Sequence, residues 1–374
     1  DQSDTLDRAP SRPTGLDIAM AERGDRHNRY GPTAARARPE GRRRVDSRTV
    51  DLHAHVAVPE AAAFVAPHLD VMDIALVRWA DDATRAVNQG QDADLKVALT
   101  SVEDRMRVLD AMGIDLQVVA PPPFQCYYSV ALEHAVPATR MVNDGVAAFV
   151  ARRPDRLMGL GVVPLQDAAE AVAELDRCVN RLGFKGVEIL TNVRGEEIAS
   201  DRLAPFWKRA EELGALVMIH PNGFTEGRRF QDHYFSNVIG NPLETTMALH
   251  HLIFSGTLER FPELRILAVH GGGYLPAYSG RIDHAWGARR DSHAGLPKPP
   301  THYLRKLYFD NVVFTPHQLE YLVKVYGADH VVMGTDYPYD MADFDPVEHV
   351  LSADLGEEDT AKVAGGTAAR LLGL

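Results

Sequence analysis

The chain has 374 residues, 45% hydrophobic and 25% charged, an ordinary globular composition that excludes bulk disorder. Its length suits one large α/β barrel better than a single small module. The formal net charge of −12 argues against a general nucleic-acid binder, and the lack of any apolar run of about 18 residues argues against a transmembrane helix.

Residues 1–48 differ from everything that follows. Residues 1–44 hold ten arginines, no lysine and seven acids, a local balance of +3 that leaves the remainder at −15. With Pro10, Pro13, Pro32, Pro39 and the run Arg42-Arg43-Arg44, and little apolar periodicity, this stretch has no core of its own. It is expected to lie as an N-terminal arm on the body or on a neighbouring subunit, its arginines facing acidic surface. Cys126 and Cys178 are too few for a disulfide framework and read as buried thiols. No secretory pattern opens the sequence, so the cytoplasm is the expected compartment.

From residue 49 short β-branched runs alternate with amphipathic stretches. Eight runs read as strands: Val50–Val56, Asp115–Ala120, Leu157–Val163, Gly186–Leu190, Leu216–His220, Arg265–His270, Leu307–Val313 and Val331–Gly334. Between them, Glu103–Met112, Ala168–Leu182, Leu203–Leu213 and Glu244–Phe254 repeat apolar residues at helical spacing. Alternating strands and helices imply parallel pairing through right-handed crossovers, and eight such units predict a closed (β/α)8 TIM-type barrel over residues 49–374. An open doubly wound sheet is the competing reading, but no Gly-rich dinucleotide fingerprint follows the first strand. Residues 57–101 and 221–243 read as long loop insertions that shape a pocket.

Asp51-Leu52-His53-Ala54-His55 opens the chemistry. Alternate residues of a strand share a side, so His53 and His55 can face one metal. His220 ends the fifth strand, His270 the sixth and Asp336 the eighth. Barrel active sites converge at these C-terminal strand ends. Histidine and carboxylate donors there suit a divalent transition metal, with zinc expected and iron or manganese compatible. Glu188 on the fourth strand, with His220 and His270, raises the alternative of a second ion; the competing reading is an acid that only supports the ligands. His250-His251 falls in a helix, which sends its two rings about 100° apart.

The set resembles the amidohydrolase superfamily, and within it the branch of 2-amino-3-carboxymuconate-6-semialdehyde decarboxylase. The resemblance runs from about residue 50 to Leu374. It is carried by Phe261-Pro262-Glu263-Leu264-Arg265, by His270-Gly271-Gly272-Gly273 through Gly280-Arg281-Ile282, and by Gly334-Thr335-Asp336-Tyr337-Pro338. It implies that His53, His55, His220 and Asp336 bind one metal per chain, and that His270 is the general acid/base. It also implies that Arg281 reaches a substrate carboxylate in a neighbouring subunit, which makes a homodimer or larger oligomer, or a hetero-oligomer with a related chain, the expected assembly. Two positions depart from the branch. Asn222 follows His220-Pro221 where Trp is usual, and Lys96 stands where an arginine binds substrate; Lys is a point charge without the bidentate fork. Both are candidate substrate contacts.

The expected activity is therefore non-oxidative decarboxylation of a small unsaturated or aromatic carboxylate. Three alternatives share the residues: a metal-dependent hydrolase, a dimetal oxygenase hydroxylating a small acid, and a non-catalytic scaffold subunit.

Overall fold

The computed structural model describes residue 45 and residues 47–374. The expected N-terminal arm falls outside the described residues as far as residue 44.

The strands are β1 (Val50–His55), β2 (Leu116–Ala120), β3 in two pieces (Leu157–Gly159 and Gly161–Val162), β4 (Gly186–Leu190), β5 (Leu216–His220), β6 (Arg265–Ala268), β7 (Tyr308–Asp310) and β8 (Val331–Val332). β1, β2 and the first piece of β3 pair in parallel; its second piece continues through β4, β5, β6 and β7 to β8. Leu160 bridges the two pieces, its N–H donating to Val119 O at 2.9 Å. The ring closes between β8 and β1. Leu52 N–H donates to Met333 O at 2.9 Å, His55 N–H donates to Tyr337 O at 2.8 Å, and Ala54 pairs with Tyr337 in parallel. Every edge is thereby used, as a barrel requires.

The barrel interior is filled by Leu52, Val118, Leu160, Met218, Leu267 and Val332, and Leu371 and Leu372 of the C-terminal helix pack against this cluster. The opposite strand face, with Val119, Val187, Val217, Ile219 and Ile266, packs on the surrounding helices. β1 does not keep strict alternation. Asp51 pairs with Gln117 and Ala54 with Val119, so Leu52 and His53 together oppose Val118. This bulge lets Leu52 enter the interior core while His53, next to it, also turns inward among the site histidines; bulges beside active sites commonly re-aim a side chain in this way.

The helices follow local signals. Val102–Met112 starts at Ser101, whose Oγ accepts the Asp104 N–H, and stops at left-handed Gly113. Ala168–Asn180 starts at Asp167, which accepts from Ala169 and Glu170. The segment 57–101, expected as a loop, is largely helical, with Pro59–Val65, Asp82–Asp94 and Lys96–Thr100 inside it. It rests on the insertion after β5 through Leu76 N–H to Asn222 O at 3.2 Å and Trp79 Nε1–H to Thr225 O at 2.9 Å. No helix among the described residues is long and apolar enough to cross a membrane.

Candidate metal centre

His53 and His55 leave β1 with buried rings, and His220 arrives at the end of β5. Their ring centroids are mutually 5.2 Å apart. Each ring is anchored through Nδ1 to an oxygen: His53 to Asp310 Oδ2 at 2.7 Å, His55 to Pro121 O at 3.1 Å and His220 to Pro221 O at 2.7 Å. That fixes the tautomer and turns all three Nε2 atoms toward Asp336 Oδ1, at 3.4, 2.9 and 3.9 Å respectively.

His270 and Asp336 lie beyond their strands, not at strand ends as the sequence reading had placed them. Both take left-handed backbone conformations, with φ of 54° and 59°. Non-glycine residues rarely do so, and such positions gather at functional sites. After His270 the glycines Gly271, Gly272 and Gly273 continue with positive φ; a Cβ on Gly273 would fall 2.2 Å from Pro242 O. His270 Nε2 thereby reaches Asp336 Oδ2 at 3.3 Å. At Gly334 a Cβ would crowd His53 Cβ and Asp310 Cβ at 3.0 Å, so a glycine there lets the chain pass close behind the site.

The donor atoms of His53, His55, His220 and Asp336 lie within 4.8 Å of one another, and all four residues are buried. The set fits a divalent ion on chemical grounds. His53 Nε2 and His220 Nε2 are buried with no hydrogen-bond partner, an arrangement costly for neutral imidazole unless something accepts the lone pairs. Burial lowers the pKa of His53 and pushes that of His55 down to about 4, so both rings are neutral near pH 7, as ligation requires. Burial alone would raise Asp336, but His53, His220, His270 and His55 hold its carboxyl well below the usual carboxylate range. For His270 burial pulls the pKa down, and the bond to and charge of Asp336 outweigh it and raise the pKa.

Glu188 stands off this group. It is buried on β4, 3.9 Å from His55 Nδ1 and 4.0 Å from Cys126 Sγ, and burial pushes its pKa up to about 8. Lys96 and Asn222 line a cavity of about 560 Å³ together with His55, His220 and Asp336. Arg281 does not enter it. It is exposed on the helix Gly280–Ala288 and makes no hydrogen bond or ion pair with the described residues.

Three contributors escaped the sequence reading. Asp310, ending β7, holds His53 with Oδ2 and accepts the Gly271 N–H with Oδ1 at 2.9 Å, so it ties a ligand to the turn after His270. An acid ending a barrel strand was the available signal. Tyr339 places its ring 5.5 Å from that of His55, and nothing in its neighbourhood of sequence marked it. The third is a buried layer behind the ligands. Asp51 accepts from His53 N–H, Gln117 Nε2 and Thr335 Oγ1, and Arg105 donates to Gln117 Oε1 and to the His55 carbonyl.

An eight-stranded parallel barrel whose strand ends gather three imidazoles and a carboxylate around one point defines a metal-dependent barrel enzyme. Comparison with known proteins narrows the class. Residues 50–374 match the amidohydrolase family, and the chain belongs to it. It is 33% identical over 272 residues to a 2-amino-3-carboxymuconate-6-semialdehyde decarboxylase of Dictyostelium discoideum, covering 72% of this chain and 76% of that protein. Its fold is similar to that of 5-carboxyvanillate decarboxylase from Sphingomonas paucimobilis, with a TM-score of 0.77, 27% identity, and coverage of 88% of this chain and 100% of the other. A dihydroxybenzoic acid decarboxylase from Polaromonas, solved with bound manganese and the inhibitor 2-nitroresorcinol, shares the fold at a TM-score of 0.74 and 24% identity, covering 88% of this chain and 97% of its own.

Proposed function

We propose that this chain is a metal-dependent carboxy-lyase that removes CO₂ from a small unsaturated or aromatic carboxylate without an oxidant. The observation that carries the reading is the convergence of three Nδ1-anchored imidazoles on Asp336 at the wall of the cavity, with His270 beside the same carboxylate. The relatives' chemistry agrees with it.

His53, His55, His220 and Asp336 hold one divalent ion. Zinc is the ion we assign, because neutral imidazole and carboxylate donors are its usual partners. When bound, the ion supplies a fixed positive charge that orients acidic substrate oxygens and stabilises the charge left as CO₂ departs. The chain's own groups do the rest. Lys96 offers an ammonium and Asn222 an amide to the substrate from the same cavity. His270 holds a proton at Nε2. As the bond to the carboxylate carbon breaks, its electron pair stays on the substrate carbon, which takes that proton while CO₂ leaves. Asp336 fixes the ring that delivers it. Glu188 lies 3.9 Å from His55 Nδ1, beyond hydrogen-bond reach, and on this reading bridges no ions.

Arg281 serves a neighbouring subunit's cavity, which requires a homodimer or larger assembly. Tyr278, 69% exposed and three residues before Arg281, offers aromatic surface for that contact. Two unpaired buried thiols accord with a cytoplasmic setting.

The test is anaerobic CO₂ release from a panel of hydroxybenzoates and unsaturated diacids, using protein loaded with zinc, manganese or ferrous ion. Chelator-sensitive release is expected. Turnover that consumes oxygen, or hydrolysis of esters and lactones with no CO₂, would replace this reading.

A further inference from the structure

A second cavity, of about 270 Å³, adjoins the metal cavity on the same barrel end. The two share Ile74, Pro123, Phe124, Tyr127 and Asn222 as walls. The two cavities therefore meet across a shared wall that includes Asn222. Asn222 is suited to a junction. It is half-buried, its backbone oxygen is engaged by Leu76, and its side-chain amide has no partner among the described residues.

The charge of the compartment is unbalanced. Arg78 lines it, but its Nη2 lies 3.3 Å from Asp73 Oδ1 and its Nε donates to Met72 O at 2.7 Å. Arg194 also lines it and makes no hydrogen bond or ion pair with the described residues. Its setting is costly. It occupies the turn of the hairpin Asn192–Val193 and Glu196–Glu197 with φ of 55°, followed by Gly195 at 86°. A two-residue hairpin turn with positive φ at both positions favours Asn, Asp or Gly, and an arginine is strained there. The hairpin is nonetheless held firmly. Asn192 accepts the Gly195 N–H at 2.8 Å and donates to Glu244 at 2.7 Å and to Thr225 Oγ1 at 3.1 Å. A strained, exposed residue on a braced turn thus places an unpaired guanidinium at the rim of a cavity that adjoins the metal cavity.

We propose that this compartment is a second anion subsite, in which Arg194 binds a carboxylate remote from the one lost at the metal. The substrate class is then an elongated diacid: one acid group in the metal cavity, a flat unsaturated body passing Asn222, and a second acid at the hairpin tip. The assignment rests on the metal-site reading above. A guanidinium recognises a carboxylate by its planar fork, and a charged hydrogen bond of this kind in a partly open cavity is worth about tenfold in affinity.

The probes are benzoate and cinnamate against 4-carboxycinnamate and biphenyl-4,4′-dicarboxylate, titrated calorimetrically into the zinc-loaded protein and into Arg194→Gly and Asn222→Trp variants. Arg194→Gly removes the guanidinium and suits the positive φ, so the fold is retained. The expected result is that at least one diacid binds about tenfold tighter than the monoacid it extends. That advantage disappears in Arg194→Gly and in Asn222→Trp, while monoacid affinity in Arg194→Gly is unchanged. Equal binding of monoacids and diacids in the wild type, or an advantage that survives Arg194→Gly, overturns the subsite and leaves the metal-site reading standing. Failure of both classes to bind the loaded protein overturns the metal-site reading and the subsite with it.

Discussion

His55 and His270 both touch Asp336, yet their surroundings assign them different work. His55 is fully buried, with Nδ1 tied to Pro121 O and Nε2 2.9 Å from Asp336 Oδ1. His270 meets the other carboxylate oxygen and sits outside the group of four donors. We expect His55→Ala to lose bound metal, measured by elemental analysis after dialysis, because each ligand is one of few. His270→Gln should retain about one ion per chain and lose about 10²–10⁴-fold in turnover. Loss of metal in His270→Gln would make His270 a ligand. Glu188 gives a separate check. In a one-metal site Glu188→Gln should leave occupancy near one and reduce activity about 10–100-fold, as the loss of a supporting partner does. Two ions per wild-type chain, falling in this variant, would make Glu188 a bridge. The four grouped donors were legible as candidates because local patterning puts them at or near strand ends; their selection as one ligand set came from the family resemblance. Asp310 was not legible, because its bond to His53 spans β1 and β7 and depends on where those strands sit in the ring.

At the scale of elements, β1 shows how a site is aimed. Plain alternation puts His53 and His55 on one side and would put Asp51 with them. The bulge places Asp51 on the helix side instead, where it meets Gln117 and Thr335. Arg105, from the helix Val102–Met112, completes the layer. Its guanidinium donates to Ala98 O, His55 O and Gln117 Oε1 and lies 4.7 Å from the centroid of the Tyr337 ring. Arg105→Met keeps the apolar stem but leaves buried acceptors without donors. It should destabilise the fold by about 3 kcal/mol or more in denaturant titration. Zinc affinity should fall as well, since the His55 backbone loses its tether. An unchanged unfolding midpoint would show that water replaces the guanidinium. The bulge was illegible in the sequence because Leu52 and His53 would each be ordinary in a regular strand; only the register against β2 reveals that both oppose Val118.

For the whole molecule the residue to test is Arg281, which is exposed and does not line the cavity of its own chain. If it completes a neighbour's site, Arg281→Ala should weaken substrate binding with metal content unchanged. Co-expressed Arg281→Ala and His270→Gln chains should recover activity, because one of the two sites in a mixed dimer receives both intact parts. Recovery absent from a verified mixed dimer would place Arg281 outside the reaction.

The barrel and the metal-binding chemistry were legible before any tertiary contact was known. Strand-and-helix periodicity, the strand-end histidines and the Asp336 motif are local patterns, and local patterns survive in one dimension. The particular hydrogen bonds that join β8 to β1, the helical character of residues 57–101, the left-handed turns at His270 and Asp336, and the Asp310 anchor emerged only in the tertiary structure. So did the wall at Asn222 shared by two cavities whose linings come from stretches far apart in the chain. The physical reason is common to all of them. Each depends on which distant groups satisfy a buried donor, acceptor or charge, and that matching is set by register and packing across the ring rather than by any residue's neighbours in sequence.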